Sequence, residues 1–352
     1  MSNSSSIQIA GRRVGKGQPC FIIAEAGVNH NGELSRARQL VDVAAEGGAD
    51  AVKFQTFKAE KIATASAPKA QYQQQTTDKS ESQLDMLKRL ELSAGAFREL
   101  YDYCNSKRIL FLSTPFDEES ADLLDELGVV AFKIPSGEIT NLPFLTHVAR
   151  KGKPVILSTG MSWLGEVETA VRTLTETGNS SLAILHCVSN YPAEPRDANL
   201  MAMRTLSEAF GAPVGFSDHT LGMEVALAAV ALGACVIEKH FTLDRDLPGP
   251  DHRASLEPRE IKALVQGIRT VESALGDGRK VPQSAELNTA SVARKSLAAA
   301  HDIPINTILS LEDVAVKRPG TGLVPSMMPF FLGRKVRVAV PKDSLLDFGM
   351  LS

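Results

Sequence analysis

Two histidines stand at the ends of short apolar runs, His219 in VGFSDHT and His240 in ACVIEKHFT. The stretch between them, GMEVALAAVALGA, reads as one helix with a buried face. A strand–helix–strand unit of this kind sets both imidazoles at neighbouring strand ends, facing one ligand. Imidazole suits a divalent transition metal, and parallel α/β folds build their sites at strand C-termini. Either histidine alone reads equally well as a satisfied core residue; the pairing favours metal ligation. With waters or substrate oxygens completing the shell, Mn²⁺ fits best, with Mg²⁺ or Co²⁺ as alternatives to a closed structural zinc.

Other strand ends carry matching chemistry. Glu25, in IIAEAG, is a carboxylate in apolar surroundings, either a general base with a raised pKa or a hydrogen-bond acceptor beside the metal. Lys53 and Lys133 each sit inside an apolar run, where lysine is seldom buried unless paired. They are either snorkelling structural lysines or cations facing a carboxylate or phosphate. Ser136-Gly137 and Ser158-Thr159-Gly160 add hydroxyls and open backbone N–H groups, which suits phosphate. Gln55, Ser113, Thr114, Glu138, Ser189, Tyr191, Ser217, Asp218, Glu238 and Lys239 continue the pattern around a polar mouth. His186 and Cys187, inside a run, read as a core histidine and a buried thiol.

The elements that must hold these groups recur with an even rhythm. Eight β-type runs, at 21–27, 51–57, 109–116, 129–137, 154–160, 182–189, 214–219 and 235–242, are each followed by a helix-type segment. Most are near-continuous apolar runs, as strands buried on both faces require. Such repetition predicts a TIM (β/α)8 barrel over residues 1–277; a doubly wound sheet is the alternative and lacks this rhythm. The polar, Gln-rich insertion after the second run, residues 58–93, reads as a loop over the barrel mouth. Residues 278–290 read as a linker, and 291–352 as a small β-rich module, marginal alone and expected to dock.

Composition excludes several classes. With 43% apolar and 22% charged residues and a formal charge of −3, nothing argues for nucleic acid or an anionic membrane. The longest near-apolar stretch, Val225 to Ile237, is short of the ~20 residues a spanning helix needs. The start, MSNSSSIQIAGRRVG, lacks a signal-peptide apolar region. Four widely spaced cysteines fit free thiols in a reducing compartment, so a cytoplasmic protein is expected.

The segments AEAGVNHNG, VKFQTFKAE, FLSTPFD, FKIPSGEI, ILSTGM, LHCVSNYP, GFSDHT, EKHFTLDRDLPGPDH and VKRPGTG follow one another from about residue 18 to the end. Together they resemble the bacterial sialic acid synthase family. The resemblance implies condensation of phosphoenolpyruvate with N-acetylmannosamine to a nine-carbon 2-keto acid and phosphate, by C–O cleavage. Relatives with similar motifs make legionaminic or pseudaminic acid from 2,4-diacetamido-trideoxy hexoses. It implies metal ligation by His219 and His240, and acid–base work by Glu25. Lys53, Thr114, Lys133, Ser136, Ser158 and Ser217 would hold phosphoenolpyruvate, with Ser189 replacing an amide that some members carry. Gln55, Tyr191 and Asp251 would contact the sugar. The C-terminal module resembles the antifreeze-like (SAF) domain, which implies a domain-swapped homodimer with Arg318 reaching in from the other subunit. Two rivals remain: a Schiff-base aldolase and a non-catalytic carbohydrate-binding protein.

Overall fold

The computed structural model describes residues 6–78 and 80–352, so the first five residues of the polar start and position 79 of the insertion lie outside the described residues. Two compact units divide the chain, Met1–Gly276 and Asp277–Ser352.

The first unit opens with an antiparallel hairpin, β1 (Ser6–Ile9) and β2 (Arg12–Gly15). The apolar runs then form eight parallel strands: β3 (Phe21–Gly27), β4 (Ala51–Thr56), β5 (Leu110–Pro115), β6 (Phe132–Ile134), β7 (Val155–Ser158), β8 (Leu182–Cys187), β9 (Val214–Asp218) and β10 (Val236–His240). Their order is β5-β4-β3-β10-β9-β8-β7-β6, so the last barrel strand pairs with the first. At the remaining seam β5 and β6 lie side by side. This is the expected TIM-type sheet with helices around it.

Burial on two faces explains the continuous apolar runs. Outward residues pack under the helices; the helix Leu34–Gly47 buries Ala37, Leu40, Val41 and Ala44, one stripe of a 3.6-residue period. Inward residues Phe21, Ile23, Leu112, Ile156, Leu185 and Val236 form a second core with Ile7, Ile9 and Val14 of the hairpin. The hairpin therefore plugs the barrel at the strand N-terminal end. Nothing in the sequence reading anticipated it, because two four-residue strands offer too short a period.

The insertion is more ordered than a loop. It carries the short helices Ala59–Ile62, Gln71–Thr76 and Gln83–Leu90, the last capped by Ser82. Met86 and Leu90 pack with Val28 and Phe57 into a satellite core. In the second unit β11 (Ser296–Ala299) and β12 (Val314–Lys317) pair antiparallel. Leu297, Ile303, Leu309, Phe331, Val336 and Leu346 give that unit its own core. The stretch read as a linker, 278–290, holds the turn Ser284–Glu286 and the start of the helix Leu287–Ala293, and it groups with this unit. Among the described residues no helix is long and apolar enough to cross a membrane.

Candidate active site

Strand alternation decides which polar residues meet. At the C-terminal end of the barrel lies a cavity of about 470 Å³. Into it face Glu25 from β3, Lys53 and Gln55 from β4, Thr114 from β5, Lys133 from β6 and Ser158 from β7. Ser217 and His219 come from β9 and the residue after it, and Glu238 and His240 from β10. The following loops add Ser136, Glu138, Ser189, Tyr191 and Asp251. Their sequence neighbours take the other face. The hydroxyls of Ser113 and Thr56 meet at 2.7 Å, Thr159 donates to the Leu185 carbonyl, and Lys239 pairs with Asp218 at 2.8 Å. These four mouth candidates (Ser113, Thr159, Asp218 and Lys239) do not line the cavity, since residues i and i+1 of a strand point opposite ways.

The two buried lysines are paired, not snorkelling. Lys53 Nζ lies 2.8 Å from Glu25 Oε2 and donates to Thr114 Oγ1 at 2.7 Å. Lys133 Nζ donates to Ser158 Oγ at 2.7 Å. Glu238 stands between them, 3.7 Å from Lys53 and 3.5 Å from Lys133, and accepts from Ser217 Oγ at 3.1 Å. From the sequence Glu238 reads only as one more polar residue at the mouth, with no role of its own. The signal was available: it sits two residues before His240 on one strand, hence on the same face.

Burial and charge oppose each other here. Burial pushes the Glu25 carboxyl up to about 7, although Lys53 pulls it down. Burial also acts on Glu238, but Lys133 and Lys53 outweigh it and hold that carboxyl below its usual range. Burial would lower Lys53, yet Glu238 and Glu25 raise it. For Lys133 burial wins, and its ammonium is held less firmly than normal.

The imidazoles are neutral. Burial drops His219 to about 4 and His240 well below its ordinary value. His219 Nδ1 donates to the Val188 carbonyl at 2.6 Å, which fixes the tautomer and leaves Nε2 with a lone pair. Their ring centroids are 5.5 Å apart, and the Nδ1 of His240 is buried without a hydrogen-bond partner. Tyr191 packs on His219 at 4.1 Å and edge-on to His240 at 5.6 Å.

Two glycines let backbone and side chains crowd together. Gly27, at φ +52°, follows a register shift after Glu25, and a Cβ there would lie 3.3 Å from Glu25 Oε1 and 3.4 Å from the His240 ring. A Cβ on Gly160 would lie 2.2 Å from Ser189 Oγ and 2.9 Å from Ser136 Oγ. The Gly160 N–H donates to Ser136 Oγ at 2.9 Å, and that hydroxyl also meets Cys187 Sγ at 3.2 Å. Ser189 thus closes over Gly160. Cys187 is buried as read, but it lines the cavity, while His186 bonds the Ala198 carbonyl away from it. Arg318 belongs to the second unit.

Comparison with known proteins identifies the family. Residues 40–280 match the NeuB family and residues 294–352 the SAF domain. The chain is 50% identical to the N,N'-diacetyllegionaminic acid synthase of Campylobacter jejuni, over 93% of this chain and 98% of that one. It is 51% identical to the enzyme of the same name from Legionella pneumophila, over 94% of each. Among solved structures, the N-acetylneuraminic acid (sialic acid) synthetase of Leptospira borgpetersenii aligns with a TM-score of 0.73 at 38% identity, over 81% of this chain and 95% of that one. The chain belongs to the NeuB family, the sialic acid synthase family its motifs resemble, and is an enzyme with a C-terminal SAF domain.

Proposed function

We propose that the enzyme condenses phosphoenolpyruvate with a 2,4-diacetamido-trideoxy hexose and water, giving a legionaminic-type nine-carbon 2-keto acid and phosphate. One observation carries the reading: two unlike sets of residues line the cavity. One is Lys53, Lys133 and the serine hydroxyls, suited to a small dianion; the other, an apolar set, is Val28, Phe57, Ile62, Met86, Leu87 and Leu90 of the satellite core and insertion. Among the described residues lining it, Lys53 and Lys133 are the only lysines or arginines. A deoxygenated, doubly acylated sugar suits the apolar set better than N-acetylmannosamine, which the motifs alone put first. The two legionaminic relatives, nearer in identity than the sialic acid synthetase, support the same choice.

The donor set fits a divalent cation. Two neutral imidazoles, one with a buried orphan nitrogen, are metal-ready, and two lysines against Glu238 and Glu25 leave a dianion incompletely neutralised. His219 and His240 would hold it, Mn²⁺ first, with Mg²⁺ or Co²⁺ as alternatives. When bound, it supplies Lewis acidity at a carbonyl oxygen.

The chain's own groups do the rest. Lys53 and Lys133, held apart by Glu238, grip the carboxylate and phosphate of phosphoenolpyruvate and fix its enol. Thr114, Ser136, Ser158, Ser189 and Ser217 complete that cradle with hydroxyls. Gln55, Glu138, Tyr191 and Asp251 align the acceptor so that its aldehyde carbon meets the enol C3. As the C–C bond forms, Glu25 near neutrality can give a proton to the former aldehyde oxygen. Water then bonds to C2 and loses one proton, which restores Glu25; the C2 hydroxyl collapses to the ketone as the bond from C2 to the phosphate oxygen breaks, and its proton leaves with the phosphate. A homodimer in which Arg318 of a second copy contacts the sugar belongs to the same proposal and rests on the KRPGTG resemblance. So does a cytoplasmic location, which four free, buried cysteines support.

A phosphate-release assay with Mn²⁺, phosphoenolpyruvate and each sugar tests the reading. Release with the diacetamido sugar exceeding that with N-acetylmannosamine, and abolished by chelator, is expected; the reverse preference would overturn the acceptor. The lowered Lys133 also suits a Schiff-base aldolase. Trapping of a substrate adduct on Lys133 by borohydride would replace the synthase with that aldolase.

A further inference from the structure

The insertion brings one aromatic residue into the cavity that no motif singled out. Tyr72, on the helix Gln71–Thr76, lines the cavity and lies 5.1 Å from the Tyr191 ring, tilted 35°. Tyr191 in turn covers His219, so Tyr72, Tyr191 and His219 form a continuous aromatic wall from the insertion to the imidazole pair. Asp251, 7% exposed, lines the same cavity, and among the described residues nothing donates to its carboxylate. Burial, with Asp251 adding to it, keeps the Tyr72 phenol protonated and able to donate.

We infer that Tyr72 is a specificity-determining residue: with the carboxylate of Asp251 and the apolar wall of Ile62, Leu87 and Leu90, it forms a pocket for an acylamino substituent of the acceptor. An acylamino group presents one N–H donor, one carbonyl acceptor and one methyl. The pocket offers their complements: a carboxylate to accept, a phenol to donate, and aliphatic side chains for the methyl. A phosphate finds no such match, since the wall carries no cation and the Asp251 carboxylate repels it; a hydroxymethyl group can pair with the carboxylate and phenol but leaves the aliphatic side chains without their methyl. The substituent recognised is the one that distinguishes a diacylated from a monoacylated hexose. The inference therefore rests on the synthase reading above and adds to it the residue that selects the sugar.

Steady-state phosphate release by the full-length, Mn²⁺-loaded enzyme tests it, with a 2,4-diacetamido-trideoxy hexose and N-acetylmannosamine as acceptors. Tyr72→Phe removes only the donor; Leu87→Ser, at a half-buried position, removes the methyl contact and guards against a folding effect at Tyr72. Each should lower kcat/KM for the diacetamido sugar by roughly 10- to 100-fold, through KM. The value for N-acetylmannosamine and the KM for phosphoenolpyruvate should stay within about threefold, the scale of contacts made equally to both sugars. A parallel fall for both sugars, or no change in either variant, overturns the Tyr72 pocket while leaving the synthase reading standing. A wild-type enzyme that prefers N-acetylmannosamine overturns the acceptor choice and the pocket with it.

Discussion

Two buried charge clusters share strands β9 and β10, one residue out of phase, and they are built differently. On the outer face Lys239 pairs with Asp218 at 2.8 Å and donates to the Thr220 carbonyl. Asp218 Oδ1 accepts from Thr220 N at 2.9 Å and from its hydroxyl at 2.7 Å. Donors and acceptors are matched, so the cluster pins the strand end to its turn. On the inner face Glu238 is shared between two lysines at longer range, and its Oε2 is buried without a hydrogen bond. A closed pair supports structure; an open set facing a cavity has capacity left for a ligand.

Substitutions can break this contrast. The largest effect is expected at the imidazoles: His219→Ala or His240→Ala should cut kcat on the order of 10⁴-fold with little change in thermal unfolding. Near wild-type turnover in either variant would sink the metal assignment. Next comes the closed pair. Lys239→Met leaves Asp218 buried and uncompensated, costing about 3–5 kcal/mol of stability. The melting temperature should fall on the order of 10 °C, while the folded fraction keeps its kcat/KM; an unchanged melting curve with lost activity would exchange the roles of the two clusters.

Lys53→Met and Lys133→Met address the open set. Each should lower kcat/KM for phosphoenolpyruvate by about 10²-fold, and a rise confined to the sugar's KM would remove the anion role. The smallest effect belongs to Arg318→Ala, which should raise the sugar's KM by roughly fivefold and leave that of phosphoenolpyruvate alone, as loss of one exposed charge contact would. Equal rises in both would count against delivery of Arg318 from a second copy, a point that sedimentation of the enzyme also checks.

Much of this contrast was legible beforehand. Lys53 and Lys133 were readable because a lysine inside an apolar run must find a partner or a ligand. The imidazole pair was readable because it ends two successive runs. Glu238 was less so: in the run VIEKH three polar residues adjoin, and only the strand's phase tells which two share a face. Asp218 and Lys239 misread as mouth residues for the same reason. Tyr72 lay in a Gln-rich stretch whose helices are too short to show a period.

Composition, the eight apolar runs and the motifs at their ends determined by themselves the barrel, the family and the residue types at its mouth. Local sequence suffices there, because a doubly buried strand needs unbroken apolar character and any polar exception stands out. Tertiary structure alone decided that β1 and β2 plug the barrel, that Glu238 bridges two lysines, and that Tyr72 meets Tyr191 at 5.1 Å. Those facts depend on strand phase and on packing between segments far apart in the chain, and no window of sequence carries either.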